Sequence, residues 1–158
     1  MLHKYYKSIM FKTMILLTTC GALVSFSGIK GTDVFEIFIN NQRVLQQFAS
    51  RTDVKTVVLD KSSYNDKIKV IYNHCGAVGK SRSLTIKNSD NKILKEWKFA
   101  DSENMNSGMV LNAKDIITLQ KGDADKLTLS YSSKELEKAK TLASIVLGTE
   151  TKQIGKLR

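Results

Sequence analysis

The chain has 158 residues, of which 25 are lysine or arginine and 15 aspartate or glutamate, giving a formal charge of +10, with two cysteines, two histidines and no proline. Once an amino-terminal leader is set aside, one histidine and one cysteine remain. That is too few for the two histidines and one cysteine of a blue-copper centre, or for the four Cys or His ligands usual in structural zinc.

Residues 1–27 read as a signal peptide. Lys4, Lys7 and Lys12 make a basic start, Thr13 to Val24 an apolar centre, and Ser25 and Ser27 place small side chains where signal peptidase needs them, so cleavage is expected after Ser27. The apolar centre is short and rich in Thr and Ser, whereas a membrane helix needs roughly 20 mostly apolar residues. Membrane attachment therefore requires an uncleaved leader or acylation of Cys20. Thr18 and Thr19 precede that cysteine in place of a small residue, and the apolar run continues through Ala22, Leu23, Val24 and Phe26, so a cleaved leader is the preferred reading. The expected location is periplasmic or secreted. Removing 27 residues leaves 131, the size of one domain, with a charge of +7. Its lysines are spread singly (Lys55, Lys61, Lys67, Lys69, Lys87), as on the solvated face or guarded edge of a sheet, and nucleic-acid binding would want them clustered beside exposed aromatics.

After a lead-in from Gly28 to Asp33, Val34 to Ile39 and Arg43 to Phe48 form a β-hairpin across Asn40, Asn41 and Gln42, since asparagine tolerates the positive φ of tight turns. Lys55 to Leu59 is a third strand, and Asp60 to Asp66 a polar turn. Lys67 to Cys75 alternates, with Ile68, Val70 and Tyr72 directed to the core and Lys67, Lys69, Ile71 and Asn73 outward. Ser83 to Lys87 and Lys92 to Ala100 make another hairpin, the second arm turning Ile93, Trp97 and Phe99 inward. A polar loop from Asp101 to Ser107 leads to a strand at Gly108 to Leu111. A short helical turn capped by Asn112 then runs through Ile117 and ends near Gly122. Lys126 to Ser132 is a half-buried strand. Thr141 to Leu147 alternates as a strand but also fits a helix, and the strand is preferred because the preceding one needs a partner. The expected fold is all-β: an antiparallel β-sandwich over residues 28–148, in immunoglobulin-like or jelly-roll order, with one short helical turn and a flexible tail at 149–158.

The segments YNHCG and GKSR (Tyr72 to Gly76, Gly79 to Arg82), ILKEWKFAD (Ile93 to Asp101), LQKG (Leu119 to Gly122) and LSYSSKEL (Leu129 to Leu136) together resemble a family of small exported bacterial proteins of no assigned function. The resemblance implies export, a compact β domain and an extended final segment, and it carries no activity or catalytic residue.

The densest chemistry lies in KIKVIYNHCGAVGKSR, Lys67 to Arg82. A phosphate-binding loop ending in Gly79, Lys80 and Ser81 would need its first glycine where His74 stands, and a helix where a strand follows, so no nucleotide is expected. His74 and Cys75 are adjacent on an extended segment and so point apart, which argues against a Cys–His nucleophile. Cys75 is expected to be buried, while Lys80 and Arg82 remain in water. A cuprous-ion or thiol site using His74 and Cys75, with Met105 or Met109 as further ligands, is the alternative. Asp101 and Glu103 lack an opposing acid for glycoside hydrolysis, and Ser132 and Ser133 lack a basic partner in a recognisable order. The resulting expectation is a non-catalytic exported module without a cofactor. It binds a protein or envelope component, not nucleic acid, through residues 73–82 and 101–107, with His74, Cys75, Lys80 and Arg82 the candidate contacts.

Overall fold

The computed structural model describes residues 31–119 and 126–148. The expected signal peptide, Cys20, the helix end near Gly122 and the carboxy-terminal tail lie outside these residues. Nine strands alternate with polar turns: β1 (Val34–Ile39), β2 (Gln42–Phe48), β3 (Lys55–Asp60), β4 (Lys67–Asn73), β5 (Arg82–Lys87), β6 (Ile93–Phe99), β7 (Met109–Asn112), β8 (Leu127–Ser132) and β9 (Lys140–Gly148). A 3-10 turn (Lys61–Asn65) and one short helix, α1 (Ala113–Ile117), complete the described elements.

The strands form two sheets, in the orders β2-β1-β4-β7 and β3-β9-β8-β5-β6. All neighbours are antiparallel except β3 and β9, which run parallel from Lys55↔Ala143 to Asp60↔Gly148. The expected β-sandwich is therefore present, with one parallel pair added at an edge. Phe35, Ile37, Ile68, Val70, Tyr72, Met109 and Leu111 from the first sheet meet Val57, Leu59, Leu84, Ile86, Leu127, Leu129 and Tyr131 from the second in one buried cluster. Each set follows the two-residue period of its strand, so one face of each sheet supplies the core.

The β1–β2 turn is made by Asn40 (φ 47°) and Asn41 (φ 67°), the paired positive φ of a two-residue hairpin loop that asparagine tolerates. Asn40 also ties this hairpin to the start of β4, accepting from the Lys67 amide at 3.0 Å through Oδ1. Asp60 caps the 3-10 turn with the reciprocal bonding of a capping box. The Asn112 side chain makes no such cap for α1 and donates instead to Asp115 at 3.4 Å.

Two details depart from simple alternation. The β5–β6 register slips between Ile86 and Lys87, which pair with Lys95 and Ile93 and leave Leu94 as an extra residue. The bulge reverses the phase, so Ile93 is exposed while Leu94 joins Trp97 and Phe99 against the core. Ile71, expected outward, is buried on the far face of β4.

Candidate functional site

At one end of the sandwich the register gathers groups that are far apart in sequence. Antiparallel pairing of Val34 with Asn73 sets Asp33 beside His74. The inward parity of Leu127, Leu129 and Tyr131 continues past the end of β8 to Ser133. Gly76 turns the chain at φ +75°, a conformation that side chains other than glycine rarely adopt, and Ala77 returns to bridge His74.

His74, only 5 % exposed, is the hub. Its Nδ1 lies 3.3 Å from Asp33 Oδ2. Its Nε2 lies 3.1 Å from the Tyr131 hydroxyl and 3.1 Å from Ser133 Oγ. These partners define the tautomer that matches them: Nδ1–H donates to the carboxylate and Nε2 accepts from hydroxyls. Asp33 is itself held, Oδ2 accepting from the Tyr72 hydroxyl at 3.0 Å and Oδ1 from the Cys75 amide at 3.0 Å. The rings of Tyr72 and Tyr131 stack with centroids 4.3 Å apart, joining the two sheets directly below the histidine. Burial pushes the Tyr72 hydroxyl above its ordinary range, and the Asp33 charge adds to the effect. Burial raises Tyr131 as well, against the opposing pull of the Ser133 hydrogen bond and the Arg82 charge.

Glu135 closes the network from the β8–β9 connection, with Oε2 3.8 Å from His74 Nε2. The Lys80 amide donates to both of its oxygens, at 3.2 and 3.0 Å, and the Lys134 amide donates to the Lys80 carbonyl at 2.9 Å. Burial alone would raise the Glu135 carboxyl. The amides of Lys80 and of Glu135 itself and the Ser133 hydroxyl outweigh it and hold the carboxyl below its ordinary value near 4.5. A carboxylate depressed on folding adds stability above its unfolded-state pKa, and that stability is lost as pH falls through the folded value. Glu135→Gln is therefore expected to leave the melting temperature's acid limb shallower than wild type below about pH 4.5, with the two curves parallel at higher pH. Melting curves across an acid pH series check this, and identical limbs would show the carboxylate is not held as described.

Arg82 is buried at 6 % exposure, correcting the expectation that it remains in water. It starts β5 and turns inward, where Nε donates to the Ala100 carbonyl at 2.8 Å and Nη1 to the Ser107 carbonyl at 2.7 Å. The Ser81 amide donates to Asp101 at 2.8 Å, and the Ser102 amide to the Gly79 carbonyl at 2.8 Å. The two loops that the sequence singled out, 73–82 and 101–107, are thus bonded into one surface. Gly79 is confined there, since an added Cβ would stand 2.7 Å from the Tyr131 hydroxyl and 3.0 Å from Arg82 Cδ.

The sequence-predicted residues therefore divide. Cys75 is exposed, contrary to the expected burial, because only its amide is anchored, while Lys80 also reaches the surface. His74 and Arg82 lie inside. Met109 is fully buried in the core and Met105 is half-exposed, so His74, Cys75, Met105 and Met109 occupy different settings. Ser133 does have a basic partner, which the sequence reading missed, and Asp33, Tyr131 and Glu135 went unnoticed because their meeting depends on long-range register.

Asp33, His74 and Ser133 have the connectivity of a hydrolase triad. The surroundings oppose that use. Tyr131 shares Nε2 with the serine, and the Glu135 carboxylate stands 3.8 Å from the same nitrogen, adding negative charge near a reaction that itself develops negative charge. The Lys80 amide, the neighbouring donor, is already committed to Glu135.

Adjoining this network at Glu135 lies an open groove of about 650 Å³ lined by Gly76, Ala77, Val78, Lys80, Met105, Lys134 and Glu135. Another groove, of about 460 Å³, lies by Val34, Phe48, Arg51 and Lys55. Its two cations are already met by Asp53, at 3.9 and 3.0 Å. Among the described residues, no carboxylate lies within ion-pairing distance of the Lys80 or Lys134 ammonium groups. Neither a scan against protein-family models nor a search of curated proteins finds a match to this chain.

Proposed function

We propose that the protein is a non-catalytic exported β-sandwich that acts as a binding or accessory module of the cell envelope or secretome, and that the groove at Lys80, Met105 and Lys134 is its recognition surface. One contrast supports this reading. The groups that resemble chemistry are engaged, His74 with Ser133 and Asp33 and Arg82 with the carbonyls of Ala100 and Ser107, whereas the adjoining groove presents cations without a carboxylate partner among the described residues, together with exposed apolar atoms. Loops on a rigid scaffold commonly carry recognition.

Reversing charge at the groove with Lys80→Glu plus Lys134→Glu is expected to leave the melting temperature within a few degrees of wild type, because both side chains are exposed. The same change is expected to remove the partner captured by the immobilised wild-type chain from envelope extract, with that partner identified and re-tested in pure form. Retention of the purified partner by the doubly reversed variant would refute the assignment of this surface.

A further inference from the structure

Building on the recognition reading above, we infer that the groove binds an acidic peptide segment of a protein partner, one that alternates carboxylate and apolar side chains. The charge balance comes first. Lys80 and Lys134 line the groove without a carboxylate partner among the described residues. The acid on the wall, Glu135, is occupied by the Lys80 amide, which donates to both of its oxygens. Two cations against one occupied carboxylate favour an anionic occupant.

The apolar content narrows the class. Ala77, Val78 and Met105 line the same groove as the lysines, and Met105 is 51 % exposed. Methionine adapts its shape to varied partners, which suits a surface that packs against peptide side chains. A volume of about 650 Å³ lies within the roughly 300–1,000 Å³ of pockets that bury drug-sized ligands, enough for a few peptide side chains. Single-stranded nucleic acid would want aromatic side chains to stack upon, and none lines this groove. An anionic membrane surface is read by clusters of about four to eight basic residues, more than the two lysines present.

The test uses the full chain and a fluorescent hexapeptide of alternating glutamate and leucine, with its glutamine–leucine counterpart as control, followed by anisotropy at low and high salt. The glutamate peptide is expected to bind at least about ten-fold more tightly than the glutamine peptide and to weaken as salt rises. Lys80→Gln with Lys134→Gln should reduce its affinity by about ten-fold, and Met105→Ser by several-fold, with melting temperatures unchanged. Arg51→Gln with Lys55→Gln, at the other groove, should have no effect. Equal binding of the two peptides, or tighter binding of an oligonucleotide or of anionic vesicles, would overturn the acidic-peptide inference. If no acidic peptide binds while capture of the purified partner still depends on Lys80 and Lys134, the acidic-peptide inference fails and the recognition surface stands. If capture is also indifferent to those lysines, both fail.

Discussion

Replacing His74 with alanine is expected to lower stability by about 2–4 kcal/mol, the cost of leaving buried polar partners unsatisfied and a cavity among them. Three groups lose one of their partners at once: the Tyr131 hydroxyl and Ser133 Oγ, each 3.1 Å from Nε2, and Asp33 Oδ2, 3.3 Å from Nδ1. The ring also packs against Tyr72 and Tyr131, with centroids 4.8 and 5.8 Å away, so dispersion contacts disappear with the hydrogen bonds. In a domain of this size the melting temperature should fall by roughly 10 °C. Cys75→Ser provides the internal comparison. Its side chain is exposed and only its amide is bonded to Asp33, so the change should stay within about 0.5 kcal/mol. Urea unfolding of the two variants side by side checks the contrast between adjacent positions.

Arg82→Ala is expected to cost a similar amount, about 2–4 kcal/mol, for a different reason. The guanidinium is the clamp that holds the loop of residues 101–107 to β5, through the carbonyls of Ala100 and Ser107. Alanine leaves both carbonyls without that donor and opens a cavity beside Gly79 and Tyr131. Arg82→Met separates the contributions, since it refills most of the volume while removing charge and donors, and should recover part of the loss. Arg82→Lys retains charge but cannot reproduce the planar fork that reaches two carbonyls at once. Hydrogen exchange should show loss of protection for the Ser102 amide, which bonds to Gly79, in all three variants, with global stability falling most in the alanine variant.

The parts of the fold readable from sequence are those set by local rules. Alternation placed β4 and β8, Asn40 and Asn41 announced the first hairpin turn, and Asn112 preceded α1. The strand reading of Thr141 to Leu147 holds within β9, because β8 on one side and β3 on the other occupy both of its edges. The parallel β3–β9 pair had no local signal, since no turn joins strands so distant in sequence. Ile93 and Leu94 exchanged roles because a single extra residue at a bulge inverts the phase of everything beyond it.

The candidate site was legible in location and illegible in chemistry. Divergence of neighbours on an extended segment correctly separated buried His74 from exposed Cys75, yet it could not say which would be inside. The inward member was decided by Asp33, Tyr131 and Ser133, whose approach to His74 depends on pairing across 41, 57 and 59 positions of sequence. Arg82 shows the same limit. An arginine at the head of a strand reads as a solvated cation until a second loop supplies carbonyls to receive it inside.

Melting temperature measured together with affinity for the purified partner tests most directly the proposed separation of interior chemistry that holds the fold from exterior charge that recognises a partner. His74→Ala should melt roughly 10 °C lower yet bind with wild-type affinity at a temperature where it remains folded. Lys80→Glu with Lys134→Glu should melt like wild type and not bind. The opposite pattern, in which folded His74→Ala loses the partner while the charge-reversed chain keeps it, would contradict the account and return His74 to the role of a functional residue.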